Sequence, residues 1–253
     1  LSGLVFALVI ITYCISFSAL IFQGDIEPGL TLGLSALLTG TVVTGLVIAL
    51  TTSLVPAGAG PDPPAVAVMS VLAAAVAAQL ASEAFAVEQV VVHVLISISL
   101  STVLTGLFLF GLGYFQLGTW LRFVPYPVIG GFLAASGWLL VTGGIEVMTG
   151  VSPGLSLESL QRLVAWDAVP QLGLGLGFAA ILFALRRVID SFLTLPLSFL
   201  AAVLVVDAIL LWGGGADSLG SRSAWYLSGS SDTQFWVPLR AVMDHDIEWL
   251  TIA

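Results

Sequence analysis

The stretch that decides the reading is Val55–Ser70, VPAGAGPDPPAVAVMS. It holds four prolines and one aspartate, Asp62, and hydrophobic runs flank it on both sides. Proline has no backbone N–H and its ring clashes with the preceding turn, so Pro61, Pro63 and Pro64 cannot occupy a helix interior. At the first helical position the missing N–H costs nothing. The spacing therefore predicts non-helical chain over residues 51–61 and a helix that begins between Asp62 and Val66.

The surroundings give this break its meaning. Of the 253 residues, 58% are hydrophobic and 8% are charged, against about 25% charged in an average soluble domain. The mean hydropathy is +1.12. A spanning helix takes about 20 apolar residues. Seven stretches qualify wholly or in part, at about Leu4–Phe22, Leu32–Leu50, Pro64–Leu80, Val87–Leu112, Pro127–Met148, Val169–Leu185 and Leu195–Trp212. The pattern predicts an all-α polytopic membrane protein with a broken third span. Lipid leaves backbone polar groups unsatisfied, so non-helical chain at membrane depth must line a cavity or be buried in protein. If the third span starts near the midplane, its N-terminal amides and positive dipole end form an anion-attracting site. The other reading of the break is a short loop between two complete helices.

Charge excludes some partners. Lysine is absent and the formal net charge is −9. Nothing here neutralises a nucleic-acid backbone, and no basic cluster anchors the chain on an anionic surface. Arg122, after the fourth span, and Arg186 and Arg187, after the sixth, share one side, which the positive-inside rule makes cytoplasmic. GLGLG at 173–177 lacks a preceding strand and reads as small-residue helix packing, not a dinucleotide loop. The single cysteine, Cys14, reads as a packing residue. Asp207 is the deepest isolated acid in a span, and His93 reads as a hydrogen-bonding residue between helices rather than a proton relay. Glu146 and Asp190 fall at span ends. Asp244, His245, Asp246 and Glu248 lie in a polar tail with no recognised metal-ligand spacing. No metal site and no catalytic residue is expected. The chain begins at Leu1 and stops at IEWLTIA, where a new apolar run opens, so it reads as part of a longer protein.

Three segments together carry a resemblance. GPDPPAVAVM resembles the opening of the third span in the SulP, or sulfate permease, family of anion transporters. LGTWLRFVPYPVIGGFLAASGWLLVTGGI is similar to that family's approach to its fifth span and is the most specific of the three. ISFSALIF with GLVIALTTS resembles the first two spans of bacterial members. The resemblance implies that residues 1–253 are a partial transmembrane domain, the first half of a 7+7 inverted repeat. The second repeat and the cytoplasmic STAS domain are not in this chain. It further implies secondary active transport of a small inorganic or organic anion such as sulfate or bicarbonate, by alternating access, in a bacterial inner membrane. Carried over by position, the substrate site comprises Tyr13, Ser16 and Phe17 on the first span and Asp62, Pro63, Pro64, Ala65 and Val66 at the third. No cofactor is implied, Na⁺ or H⁺ is the candidate coupling ion, and a homodimer through the STAS domain or second repeat is expected. Two positions depart from the common sulfate-carrier pattern. Tyr13 stands where those carriers often have glutamine, and Asp62 sits at the break. A carboxylate beside the positive end of a helix competes with an anion, so an amino acid or cation as substrate is the alternative. A non-transporting membrane subunit of a larger complex is another.

Overall fold

The computed structural model describes residues 2–53, 57–82, 85–151, 153, 161, 163, 169–189, 194, 197–199 and 201–205. Helices and short 3₁₀ turns make up the regular structure of these residues, with no strand among them. The long helices are α1 (Ser2–Ile21), α2 (Leu30–Thr51), α3 (Pro63–Ser82), α4 (Val87–Tyr114), α5 (Tyr126–Thr149) and α6 (Val169–Val188). All six are long and apolar enough to cross a bilayer. The chain is thus an all-α polytopic membrane protein. The seventh expected span, with Asp207, falls largely outside the described residues, as do Asp190 and the acidic tail.

Local chemistry explains how serine and threonine are accommodated in helices that face lipid. Hydroxyl side chains bond carbonyls three or four residues back within their own helix. Thr12 donates to the Leu8 carbonyl at 3.0 Å, Thr41 to Leu37 at 2.7 Å and Ser99 to Leu95 at 2.7 Å. Thr105 donates to Ser101 at 2.8 Å and Thr149 to Ile145 at 2.8 Å. Each polar group is then satisfied without a partner from the lipid side, where an unsatisfied one costs several kcal/mol.

The break falls where the prolines place it. Helix α2 ends at Thr51, and Thr52, with φ −78° and ψ 140°, is extended. Residues 57–62 are non-helical, and α3 opens at Pro63. The third helix is longer than its apolar core suggests. It covers 20 residues, about 30 Å at 1.5 Å per residue, because Pro63 starts it and Ala81 and Ser82 extend its far end.

Two compact units make up the described chain, one holding residues 2–16 and those from Gly144 onward, the other Phe17–Gly143. The core of the second unit lies where α3 packs along α4. Val66, Ala73, Val76 and Leu80 are buried at helical spacing on α3. On α4 burial is confined to the first half, Val90–Ser97, and from Ser99 to Tyr114 the helix is largely exposed. The 3₁₀ turn Gly24–Gly29 joins α1 to α2 and packs on α4. There a Cβ on Gly29 would come within 2.7 Å of both Phe22 Cδ1 and Val91 Cγ1, and one on Gly33 would overlap the Phe22 ring. Ser18 Oγ ties the two helices together by donating to the Leu30 carbonyl at 2.9 Å.

Candidate functional site

The start of α3 is built by three residues. Asp62 is the residue before the helix, and its carbonyl accepts the Val66 N–H at 3.0 Å. Pro63 and Pro64 occupy the first two helical positions with φ preset near the helical value. A helix normally presents several unpaired amides at this end. Here the two prolines have none and the Val66 amide is already bonded, which leaves Ala65 to offer its N–H. The Asp62 side chain and Ala65 are exposed, Pro63 and Pro64 are half-buried, and Val66 is 5% exposed. The first turn therefore shows a ligand one amide, the positive end of a 20-residue helix and one carboxylate. An anion meets attraction from the first two and repulsion from the third.

On α1 the other candidates are one turn apart. Tyr13, Ser16 and Phe17 stand at i, i+3 and i+4 and so share a helix face. Tyr13 is half-buried, Ser16 is exposed and Phe17 is 8% exposed. Tyr13 and Ser16 belong to the first compact unit, whereas Phe17 and the start of α3 belong to the second. The structure thus brings Asp62, Pro63, Pro64, Ala65 and Val66 together as one helix start, and groups Tyr13, Ser16 and Phe17 by face.

Sequence reading missed a polar string on α4 that runs from half-buried Gln89 to buried His93 and Ser97. The Gln89 side chain reaches back to accept the Ala86 N–H at 3.3 Å, the returning half of a capping box. The Gln89 carbonyl lies 2.8 Å from His93 Nδ1. A carbonyl can only accept, so Nδ1 carries the hydrogen. The His93 carbonyl in turn accepts from Ser97 Oγ at 2.8 Å. His93 is 1% exposed, and its ring centroid lies 6.0 Å from that of Phe85. The spacing Gln89, His93, Ser97 was the available signal. The sequence suggests hydrogen bonding between helices for His93; the bond seen at Nδ1 runs inside its own helix. Glu146, placed at a span end by the sequence, is half-buried inside α5. Among the described residues, no three histidine, cysteine, aspartate or glutamate side chains gather as a metal site would require.

Six membrane-length helices among the described residues, with non-helical chain before the third, define an integral membrane protein. The family model described as the sulfate permease family matches residues 1–235. The chain belongs to that family of anion transporters. No curated protein and no solved structure matches it.

Proposed function

We propose that this chain moves a small inorganic or organic anion, of the size of sulfate or bicarbonate, across the bilayer by alternating access. The first turn of α3 is the proposed binding surface, and Tyr13, Ser16 and Phe17 on α1 are proposed as substrate-contacting residues in their own right. One observation carries the reading: a proline-fixed helix start, after non-helical chain, between two apolar helices of a sulfate permease family member. Such starts bind charged solutes in transporters because their amides and dipole are aimed at the site before the ligand arrives. The remaining half of the proposed site, from a second inverted repeat, and dimerisation through that repeat or a STAS domain belong to the same proposal.

The exposed Asp62 carboxylate favours one second reading, an amino acid or cation as substrate. The two differ in sign. For an anion, Asp62→Asn removes a repulsion at a position before a helix where Asn and Asp are about equally favoured. The expected outcome is about threefold to tenfold tighter half-saturation, the size of one charge at a helix end. For a cation, or for a proton or Na⁺ carried on Asp62, the same change abolishes gradient-driven uptake. The measurement is anion uptake by the full-length protein in proteoliposomes, with pH and Na⁺ gradients imposed separately. Weaker uptake with unchanged thermal stability overturns the plain-anion reading. Absence of uptake of anions, cations and amino acids alike, in a well-folded preparation, points to the subunit role instead.

A further inference from the structure

Helix α5 is pinned to a different neighbour on either side of a glycine pair. Gly143 lies so close under Leu20 of α1 that a Cβ there would overlap Leu20 Cδ1. One turn past Gly144, Met148 covers Gly175 of α6, where a Cβ would overlap its sulfur. The first contact lies within the compact unit Phe17–Gly143, and the second within the unit that resumes at Gly144. The chain therefore passes from one unit to the other inside a continuous helix, between two adjacent glycines. Helix α1 makes the other passage, after Ser16. Beyond that residue α1 is anchored. Ser18, Ala19, Leu20, Ile21 and Phe22 are buried, and Ser18 Oγ donates to the Leu30 carbonyl at 2.9 Å. Before it Leu4, Ile11 and Ile15 are exposed.

Three features weaken α5 at this point. Glycine carries no Cβ and loses more backbone freedom on entering a helix than any other residue, and two stand in a row. Thr142, just before them, donates its hydroxyl to two carbonyls of the preceding turn, Trp138 at 3.0 Å and Leu139 at 3.1 Å. Bonds of this kind compete with the helical ladder and bend helices. Packing accounts for Gly143 and Gly175 but not for Gly144. Among the described residues, no packing neighbour lies within 4 Å of where its Cβ would stand. We infer that residues 142–144 form a hinge within α5. At it the end of the helix, joined to α6 through Met148, bends against the part held by Leu20. The inference rests on the alternating-access reading, which requires one body of the chain to move while another holds still. It sets the joint inside a helix, where small residues absorb the change in φ and ψ.

The test exchanges Gly144 for alanine in the full-length protein. The open space at this position accepts the methyl, and alanine stiffens the helix. The expected result in proteoliposomes is an unchanged half-saturation for sulfate or bicarbonate uptake. The maximal rate should fall about twofold to fivefold, the rate equivalent of the difference between glycine and alanine in a helix. The unfolding temperature in detergent should be no lower than that of the wild type. A second measurement reads the bending itself. Spin labels at Val128→Cys and Ile181→Cys, exposed positions on α5 and α6, are placed in a Cys14→Ala background in nanodiscs. Pulsed electron paramagnetic resonance should give a broad or two-peaked distance distribution that Gly144→Ala narrows. A wild-type distribution already as narrow as the variant's overturns the hinge, and so does an unchanged maximal rate. If the wild type takes up neither anion while Gly144→Ala still narrows the distribution, the hinge stands and it is the anion reading that falls.

Discussion

Phe22 and Gly33 decide how closely the chain just after α1 packs on the first turns of α2. Helices in lipid gain no hydrophobic drive from meeting, so close packing of small residues holds them. A methyl at Gly33 would occupy the space of the Phe22 ring. Gly33→Ala is expected to lower stability by about 1–3 kcal/mol, the usual range for overpacking, read as thermal unfolding in detergent. Adding Phe22→Leu should restore part of the loss, and a double variant no better than the single would show that the clash lies elsewhere. Gln116 presents the opposite case. A side chain at φ +53° is strained where glycine is not. Gln116→Gly should therefore raise stability by about 0.5–1 kcal/mol. Neither feature was legible in the sequence. Gly33 is one of many glycines in apolar spans, and its partner eleven residues away is fixed only once the Gly24–Gly29 turn folds. The left-handed residue was hidden because glutamine, unlike glycine or asparagine, gives no sign of that conformation.

The elements were far more legible than these contacts. Proline acts through its own covalent geometry, so the end of α2 and the start of α3 could be read from Pro61, Pro63 and Pro64 without knowing any neighbour. The helical spans followed for a similar reason, since apolar length alone sets them. What the prolines do to the site was less visible. They place a helix start accurately and also remove two of the amides that make such a start attractive to anions. Pro64→Ala returns one amide to the first turn. If the start of α3 binds the transported anion, this variant should bind it more tightly, by about threefold to tenfold for one added hydrogen bond, measured as half-saturation of uptake. Unchanged half-saturation in a folded variant would place the anion away from this turn. His93 shows the limit of reading by element. Its burial depends on α3 and the Gly24–Gly29 turn closing over α4, and no pattern within α4 alone reports that.

For the whole chain, the number of complete crossings fixes which side each charge occupies. If every helix from α1 to α6 crosses, Asp25 and Glu27 between α1 and α2 lie opposite Arg122 after α4 and Arg186 and Arg187 at the end of α6. The positive-inside rule then puts the arginines in the cytoplasm. Helix α3 bears most on this count, because a start at the midplane would carry its far end beyond the hydrocarbon core. Its length speaks to this point. Twenty residues reach about 30 Å, the thickness of the hydrocarbon core, so a midplane start would push about ten residues, through AlaAlaGlnLeuAla, beyond the core unless the helix tilts steeply. The proposed site needs the start of α3 inside the bilayer, with the non-helical chain before it completing the crossing, so a tilt that keeps this apolar end within the core is the arrangement expected. Single cysteines at Asp25→Cys and Arg187→Cys, in a Cys14→Ala background, separate the cases. A membrane-impermeant thiol reagent on intact cells should label position 25 and spare 187, and lysis should open 187 to it. Labelling of both from outside would mean an even number of crossings between them, and α3 would be the first helix to suspect of turning back within the membrane.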